Sequence, residues 1–161
     1  MKNTKRTQLL SILFLTITAL ALFFSNTAKP DNPVLFGLKR LQENTFYNLK
    51  GDKIDYSNTL LSKRLEELKG LANKEQSRFL WSASLRYSTT AGRITEMIKG
   101  ETSREKALKQ IEVFKKDQEE IRKTLQQFPV DFSNEDWKFL EDAINYLDIY
   151  IDQLQKMISE S

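Results

Sequence analysis

The chain has 161 residues, with 25 Lys and Arg against 22 Asp and Glu, and it contains no histidine and no cysteine. These absences exclude Ser-His-Asp and Cys-His nucleophile systems, ordinary zinc sites, disulfide bonds and lipidation of cysteine. Lys2, Lys5 and Arg6 account for the whole net charge of +3, because without them 22 basic residues stand against 22 acidic ones. The neutral remainder gives no argument for nucleic-acid binding. We expect neither an enzyme nor a cofactor.

The first hydrophobic stretch, residues 9–24, reads LLSILFLTITALALFF and carries no charge. A helix over residues 7–28 would be about 33 Å long, enough to cross a hydrocarbon layer of roughly 30 Å. The basic residues precede it, so the positive-inside rule places residues 1–6 in the cytoplasm and the rest of the chain outside. The predicted membrane-spanning residues are the large apolar ones: Leu9, Leu10, Ile12, Leu13, Phe14, Leu15, Ile17, Leu20, Leu22, Phe23 and Phe24.

A cleaved signal peptide is the alternative interpretation of this stretch. Ala19-Leu20-Ala21 matches the small-residue pattern of a cleavage site, although cleavage there would leave Leu22, Phe23 and Phe24 at the new terminus. The uncleaved anchor predicts a single-pass plasma-membrane protein, and cleavage predicts a secreted one. Both interpretations export residues 29–161, a normal length for one domain.

The first helix of that domain is predicted to start at Pro33, which follows Asn32 as a proline at the first helical position follows an N-cap. It is predicted to end near Gly51. The aromatic residues of this helix either form a partner groove, touch lipid headgroups or complete the core. The candidate partner-contact residues are Phe36, Lys39, Arg40, Phe46 and Tyr47.

Two further helices are predicted over residues 55–73 and 75–99. The second helix carries an apolar stripe, with Asn73 as a left-handed cap. The middle of the third, residues 82–92, is rich in small side chains, which would either admit a ligand or allow close helix packing. The predicted stripes are Leu61, Leu65, Leu68 and Ala72, and Leu80, Ala83, Tyr87, Thr90, Ile94 and Met97.

The fourth and fifth helices have the most regular apolar spacing, with alternating steps of three and four residues. Thr102 and Glu105 predict a capping box for the fourth helix, and Pro129 predicts its end at Phe128. Ser133 with Asp136 predicts the cap of the fifth, and Phe132 with Trp137 a hydrophobic staple. The seams are Ala107, Ile111, Phe114, Gln118, Ile121, Leu125 and Phe128, and Trp137, Leu140, Ile144, Leu147, Ile151, Leu154 and Ile158.

The fold class that follows is all-α, with an N-terminal transmembrane helix followed by an antiparallel four-helix-type bundle and one extra short helix. Helices two and three form one predicted hairpin, and helices four and five the other. Each hairpin leaves an apolar flank that the other can cover.

Carboxylates are the abundant residues with catalytic potential. Asp148 and Asp152 lie one turn apart and could hold a hard cation, but they lie opposite the apolar seam and are also explained by a solvated face. The same interpretation applies to Glu66-Glu67 and Glu119-Glu120. Gln118, the polar member of its seam, marks either a ligand cavity or the register between two helices.

Two segments resemble an uncharacterised bacterial domain family that follows a membrane segment in single-pass proteins. The residues are Pro30-Asp31-Asn32-Pro33, Leu35-Phe36, Leu38-Lys39-Arg40 and Glu43, then Lys63-Arg64-Leu65 and Glu67-Leu68, within residues 30–72. The resemblance implies an extracytoplasmic helical domain of bacterial origin. Some such proteins have an anti-sigma-like zinc module inside the cell, but residues 1–6 contain no Cys or His for one.

The sequence therefore predicts a membrane-anchored extracytoplasmic helical domain that binds a protein partner or serves as an envelope structural module. The alternative is an exported sensor with a small-ligand pocket between bundle helices.

Overall fold

The computed structural model describes residues 16, 17, 19, 20, 33–49, 53–72, 76–128 and 135–160. The chain divides into two compact units, Met1–Gly51 and Asp52–Ser161. Within the described ranges no helix is long and apolar enough to cross a membrane. The predicted anchor at residues 7–28 lies almost wholly outside those ranges.

The first unit contains helix α1, Pro33–Leu49. It starts at the proline that the sequence predicts, because the fixed φ of proline suits the first helical position and its missing N–H is not needed there. Within α1 the Thr45 hydroxyl donates to the carbonyl oxygen of Leu41 at 2.9 Å. Leu41 and Phe46 are exposed.

The described part of the second unit contains four long helices and one short 3-10 turn: α2 (Lys53–Leu71), the turn at Ser77–Phe79, α3 (Leu80–Glu101), α4 (Arg104–Gln127) and α5 (Lys138–Glu160). The ranges that the structure describes contain no strand. The predicted all-α helical bundle is confirmed. The proposed left-handed cap at Asn73 lies outside the described residues.

The predicted seams form the core of the second unit. Leu68, Leu80, Phe114 and Leu147 are each fully buried. Leu125, Trp137 and Ile158, at the ends of the seams, are partly buried against the same core. Burial of these stripes confirms the helical faces that the three-and-four spacing predicts.

The start of α4 differs by one residue from the predicted capping box. Thr102 has φ 51°, and its left-handed conformation ends α3. Ser103 is therefore the N-cap, and its hydroxyl oxygen accepts a hydrogen bond from the backbone N–H of Lys106 at 3.4 Å. The predicted capping box of Thr102 with Glu105 was wrong, because Thr102 is the C-cap of α3 and the next residue, Ser103, is the N-cap of α4.

Pro129 sets the end of α4 as predicted. Phe128 has φ −65° and ψ 127°, the extended geometry that a following proline imposes. Helix α5 begins at Lys138, later than the Ser133 cap predicts, after backbone hydrogen bonds from Lys138, Phe139 and Leu140 to residues three positions earlier. Ser133 and Phe132 lie outside the described residues.

The helices pair as two antiparallel hairpins, α2 with α3 and α4 with α5, as predicted. The hairpins meet through α3 and α5, which run parallel. Gly92 lies against Tyr150, and seven residues later along each helix Lys99 and Met157 line one cleft. Helices α2 and α4 also run parallel, but they pack over a much shorter length than α3 and α5.

Candidate functional site

The predicted partner-contact residues of α1 do not share one environment. Arg40 is exposed, and Phe46 is exposed over 45% of its surface. Lys39 and Tyr47 are half-buried. The side chain of Phe36 is outside the described part of the chain.

The paired carboxylates of α5 face solvent. Asp148 and Asp152 are both exposed, and the described residues contain no group of three or more potential metal ligands. Asp148 Oδ1 accepts a hydrogen bond from Gln118 Nε2 at 2.7 Å, and Gln118 Nε2 also lies 3.2 Å from the carbonyl oxygen of Ile144. These bonds join α4 to α5 and favour the register role of Gln118 over a ligand cavity.

The prediction of a solvated face is wrong for Glu67. Its Oε1 lies 3.1 Å from Nη2 of Arg86 on α3. The side chains of Glu67 and Arg86 are only 14% and 13% exposed. Arg64 reinforces this junction, since its Nη1 donates to the carbonyl oxygen of Arg86 at 2.9 Å and to the Thr90 hydroxyl. Antiparallel α2 and α3 are therefore joined by a partly buried ionic network.

Glu66 and Glu120 both contact Lys69, whose Nζ lies 3.1 Å from Glu66 and 3.2 Å from Glu120. The hydrogen bonds that Lys69 donates to these two carboxylates raise its pKa. The pKa of Glu120 is lowered by its hydrogen bonds to Lys123 and Lys69. The Lys69–Glu120 pair bridges α2 and α4.

A buried tyrosine–aspartate pair lies between α3 and α4. The Tyr87 hydroxyl donates to Asp117 Oδ2 at 2.7 Å, and both residues are buried. Burial raises the pKa of Asp117, while the hydrogen bond from Tyr87 and the charge of Lys116 act in the opposite direction. Burial also raises the pKa of Tyr87, as does the adjacent Asp117. Tyr87 therefore remains a neutral donor.

The small residues in the middle of α3 allow close helix packing, which is the second of the two roles that the sequence predicts. An ideal Cβ on Gly92 would lie 2.7 Å from the Tyr150 hydroxyl oxygen. Tyr150 in turn stacks on Tyr146, with ring centroids 6.3 Å apart. The absence of a side chain at Gly92 therefore makes room for an aromatic residue of α5.

The surface around this contact carries large apolar side chains, and we call Trp81, Leu85, Tyr146 and Ile149 the α3–α5 face. These residues are 59%, 51%, 45% and 49% exposed. Trp81 and Leu85 are eleven and seven residues before Gly92, which places all three on one side of α3. Tyr146 is one turn before Tyr150 on α5. The two rows meet at the Gly92–Tyr150 contact.

A cleft of about 200 Å³ lies between α2 and α4. It is lined by Ile54, Asp55 and Asn58 from α2 and by Glu105, Lys106, Lys109, Gln110 and Val113 from α4. Gln110 is 3% exposed. Two covered atoms of the lining residues, Asn58 Oδ1 and Gln110 Nε2, have no hydrogen-bond partner. We call this space the α2–α4 cleft.

The sequence prediction did not include Asn58, Gln110 or Asp117. A signal was present, since Gln110 and Asp117 are seven residues apart and form a polar row beside the apolar seam of α4. The row would normally be assigned to solvent. Its burial depends on where α2 and α3 pack.

Comparison with protein-family models, curated proteins and solved structures gives no match. The resemblance over residues 30–72 therefore stays a prediction.

Two buried glutamines of α4 provide a test of the unpartnered amide. We expect Gln110→Leu to raise the free energy of unfolding by about 1 kcal/mol, because it removes a covered donor without a partner. We expect Gln118→Leu to lower it by about 1 kcal/mol, because two hydrogen bonds to α5 are lost. Urea denaturation of both variants measures the difference. Equal losses in the two would show that Gln110 has a structural partner in solution.

Proposed function

We propose that the chain is a membrane-anchored extracytoplasmic domain that binds a protein partner through the α3–α5 face. One observation supports this interpretation most strongly. Four large apolar side chains remain about half exposed on α3 and α5, the parallel helices that join the two hairpins. Large apolar side chains left exposed on two packed helices are typical of interaction sites.

The composition of the α3–α5 face suits an interface. Tryptophan and tyrosine are enriched at the centres of protein interfaces, where they bury large areas and keep a polar group available. Leu85 is seven residues before Gly92, and Tyr146 is four residues before Tyr150. Because Gly92 and Tyr150 are in contact and the helices are parallel, Leu85 and Tyr146 are separated by about 4.5 Å along the helix axes, at 1.5 Å per residue. Tyr146 stacks on Tyr150. The stacking restricts the Tyr146 side chain before a partner binds, and therefore reduces the conformational entropy that is lost on binding.

The membrane part of the proposal rests on the sequence. Residues 9–24 carry no charge, and Lys2, Lys5 and Arg6 precede them. This arrangement favours a plasma-membrane anchor with the helical domain outside, and cleavage after Ala21 would instead secrete that domain. Residues Lys39, Arg40 and Phe46 of α1 supply a second candidate contact for the same partner.

Photo-crosslinking tests the proposed face. A photoreactive residue at Leu85 of the full chain in its native membranes should give a discrete adduct with one protein. The same residue at Leu108 on α4 is the matched control, since that leucine is 50% exposed. In the chain that carries the photoreactive residue at position 85, we expect Trp81→Ser with Tyr146→Ser to lower adduct recovery by tenfold or more, about 1.4 kcal/mol or above, and Leu108→Ser to leave it unchanged.

Equal adducts at positions 85 and 108 would contradict a specific face. An adduct lost in Phe46→Ser but kept in the Trp81 and Tyr146 variant would move the partner site to α1.

Carbonate extraction tests the anchor. We expect the full chain to remain in the membrane pellet, and N-terminal sequencing to find a mature N-terminus that precedes residue 9. Leu13→Arg with Leu20→Arg should release it, because each arginine near the bilayer centre costs about 2.5 to 3.5 kcal/mol. A mature N-terminus at Leu22 would instead establish signal cleavage.

A further inference from the structure

We infer that the α2–α4 cleft is a binding site for a small neutral molecule that carries a hydroxyl or carboxamide group. This site goes beyond partner binding at the α3–α5 face, since it uses the other side of the bundle and different residues.

The unpartnered amide atoms are the first reason. Gln110 Nε2 is a covered donor and Asn58 Oδ1 a covered acceptor, and both residues line the cleft. A buried polar atom without a partner is unfavourable, and the great majority of such atoms in folded proteins are hydrogen-bonded. Both atoms are closed to solvent, so the two amides must rotate toward the cleft to meet a group that accepts from Gln110 and donates to Asn58. A hydroxyl or a carboxamide does both.

The charges of the rim indicate that the ligand is neutral. Asp55 and Glu105 contribute two carboxylates, and Lys106 and Lys109 contribute two ammonium groups. Lys106 Nζ also lies 2.6 Å from Glu101. Because the two signs are balanced, the rim provides no net field that would select an anion or a cation.

The walls and the volume limit the size of the ligand. Ile54 is buried and Val113 half-buried, so they supply apolar walls beside the two amides. The volume of about 200 Å³ is below the roughly 300 to 1,000 Å³ of sites for drug-sized ligands. A compound the size of a short polyol, a small sugar or a simple amide fits this space.

The position of the cleft gives such a ligand a structural consequence. Helices α2 and α4 pack over a short length, and the ion pair between Lys69 and Glu120 bridges them about three turns away from Asn58 and Gln110. A ligand bonded to both amides would add a second bridge. Binding should therefore stabilise the α2–α4 side of the bundle.

NMR of the side-chain amides of the full chain in detergent micelles tests the site. Acetamide and glycerol serve as neutral probes, and acetate and ethylammonium as charged counterparts of similar size. We expect the neutral probes to shift the Asn58 and Gln110 side-chain resonances saturably. Gln110→Leu and Asn58→Leu should each weaken this binding by about tenfold, the effect of one lost hydrogen bond of about 1.4 kcal/mol.

Gln153→Leu is the control, because Gln153 lines the separate cleft beside Lys99 and Met157; it should leave the affinity unchanged. Failure of the neutral probes to shift either resonance would overturn the site. Tighter binding of acetate or ethylammonium would overturn the ligand class. Equal affinity in Gln110→Leu and wild type would overturn the role of the amides, and the wild-type shifts decide the case if a variant fails to fold.

Discussion

Leu147→Asp and Ile121→Asp are each expected to lower the free energy of unfolding by about 3 to 5 kcal/mol, a large fraction of the roughly 5 to 15 kcal/mol of an ordinary domain. Both side chains are fully buried at the contact of α4 with α5. An aspartate there would lose its hydration, and the apolar side chains around it would provide no hydrogen bonds to replace the lost water. Urea denaturation followed by circular dichroism measures the change.

Ile149→Asp is the control for these two substitutions. Ile149 is on α5 two residues beyond Leu147 and is 49% exposed, so the new carboxylate would remain in water. We expect a change within about 0.5 kcal/mol. Similar losses in all three variants would contradict the assigned seam, because the assignment requires that the two faces of α5 respond differently.

Tyr87→Phe is expected to cost about 1.5 to 3 kcal/mol at neutral pH, because it removes a hydrogen bond to a buried carboxylate. The loss should be smaller in acid, where Asp117 is protonated and needs no donor. Tyr150→Phe is the control, since Tyr150 is half-buried on α5, and it should change stability by no more than about 0.5 kcal/mol. Thermal or urea unfolding at two pH values separates these outcomes.

The pH dependence of Asp117 has a definite sign. Burial raises its pKa in the folded state, so the folded chain binds this proton more tightly than the unfolded chain. The stability contributed by this group is therefore greatest below the unfolded pKa and declines as the pH rises through the window up to the raised folded pKa. Glu120, with its lowered pKa, acts in the opposite direction.

Asp117→Asn isolates this effect, because asparagine keeps an oxygen that can accept from Tyr87 and does not titrate. We expect the stability of this variant relative to wild type to increase as the pH rises from acid to neutral. It should also abolish the pH dependence of the Tyr87→Phe loss. A constant difference between wild type and variant across this range would show that Asp117 titrates normally in the folded chain.

Local patterns predicted the helices of the second unit because helix formation depends on neighbours three and four residues apart. The seams of α4 and α5 are buried as predicted, and Phe128 takes the extended geometry that Pro129 requires. The cap of α4 was misassigned by one residue. Ser103 and Thr102 are both acceptable caps locally, and only the path of the chain out of α3 assigns the left-handed conformation to Thr102.

The polar interior was predicted in part. Gln118 interrupts an apolar seam, and this interruption is visible in the sequence alone. Asn58, Gln110 and Asp117 lie beside their seams. At such positions a polar residue can either face solvent or join a buried hydrogen-bond network, and the sequence does not distinguish the two. Glu67 was assigned to solvent for the same reason, and its partner Arg86 belongs to a different helix.

The sequence by itself determined the helical content, the apolar faces, the absence of histidine and cysteine chemistry, and the charge pattern around residues 9–24. The tertiary structure decided which helices cover those faces. Periodicity states that a face is buried but carries no information about its neighbour. Three features therefore depend on how the two hairpins pack against each other: the contact of Gly92 with Tyr150, the Tyr87–Asp117 pair and the α2–α4 cleft.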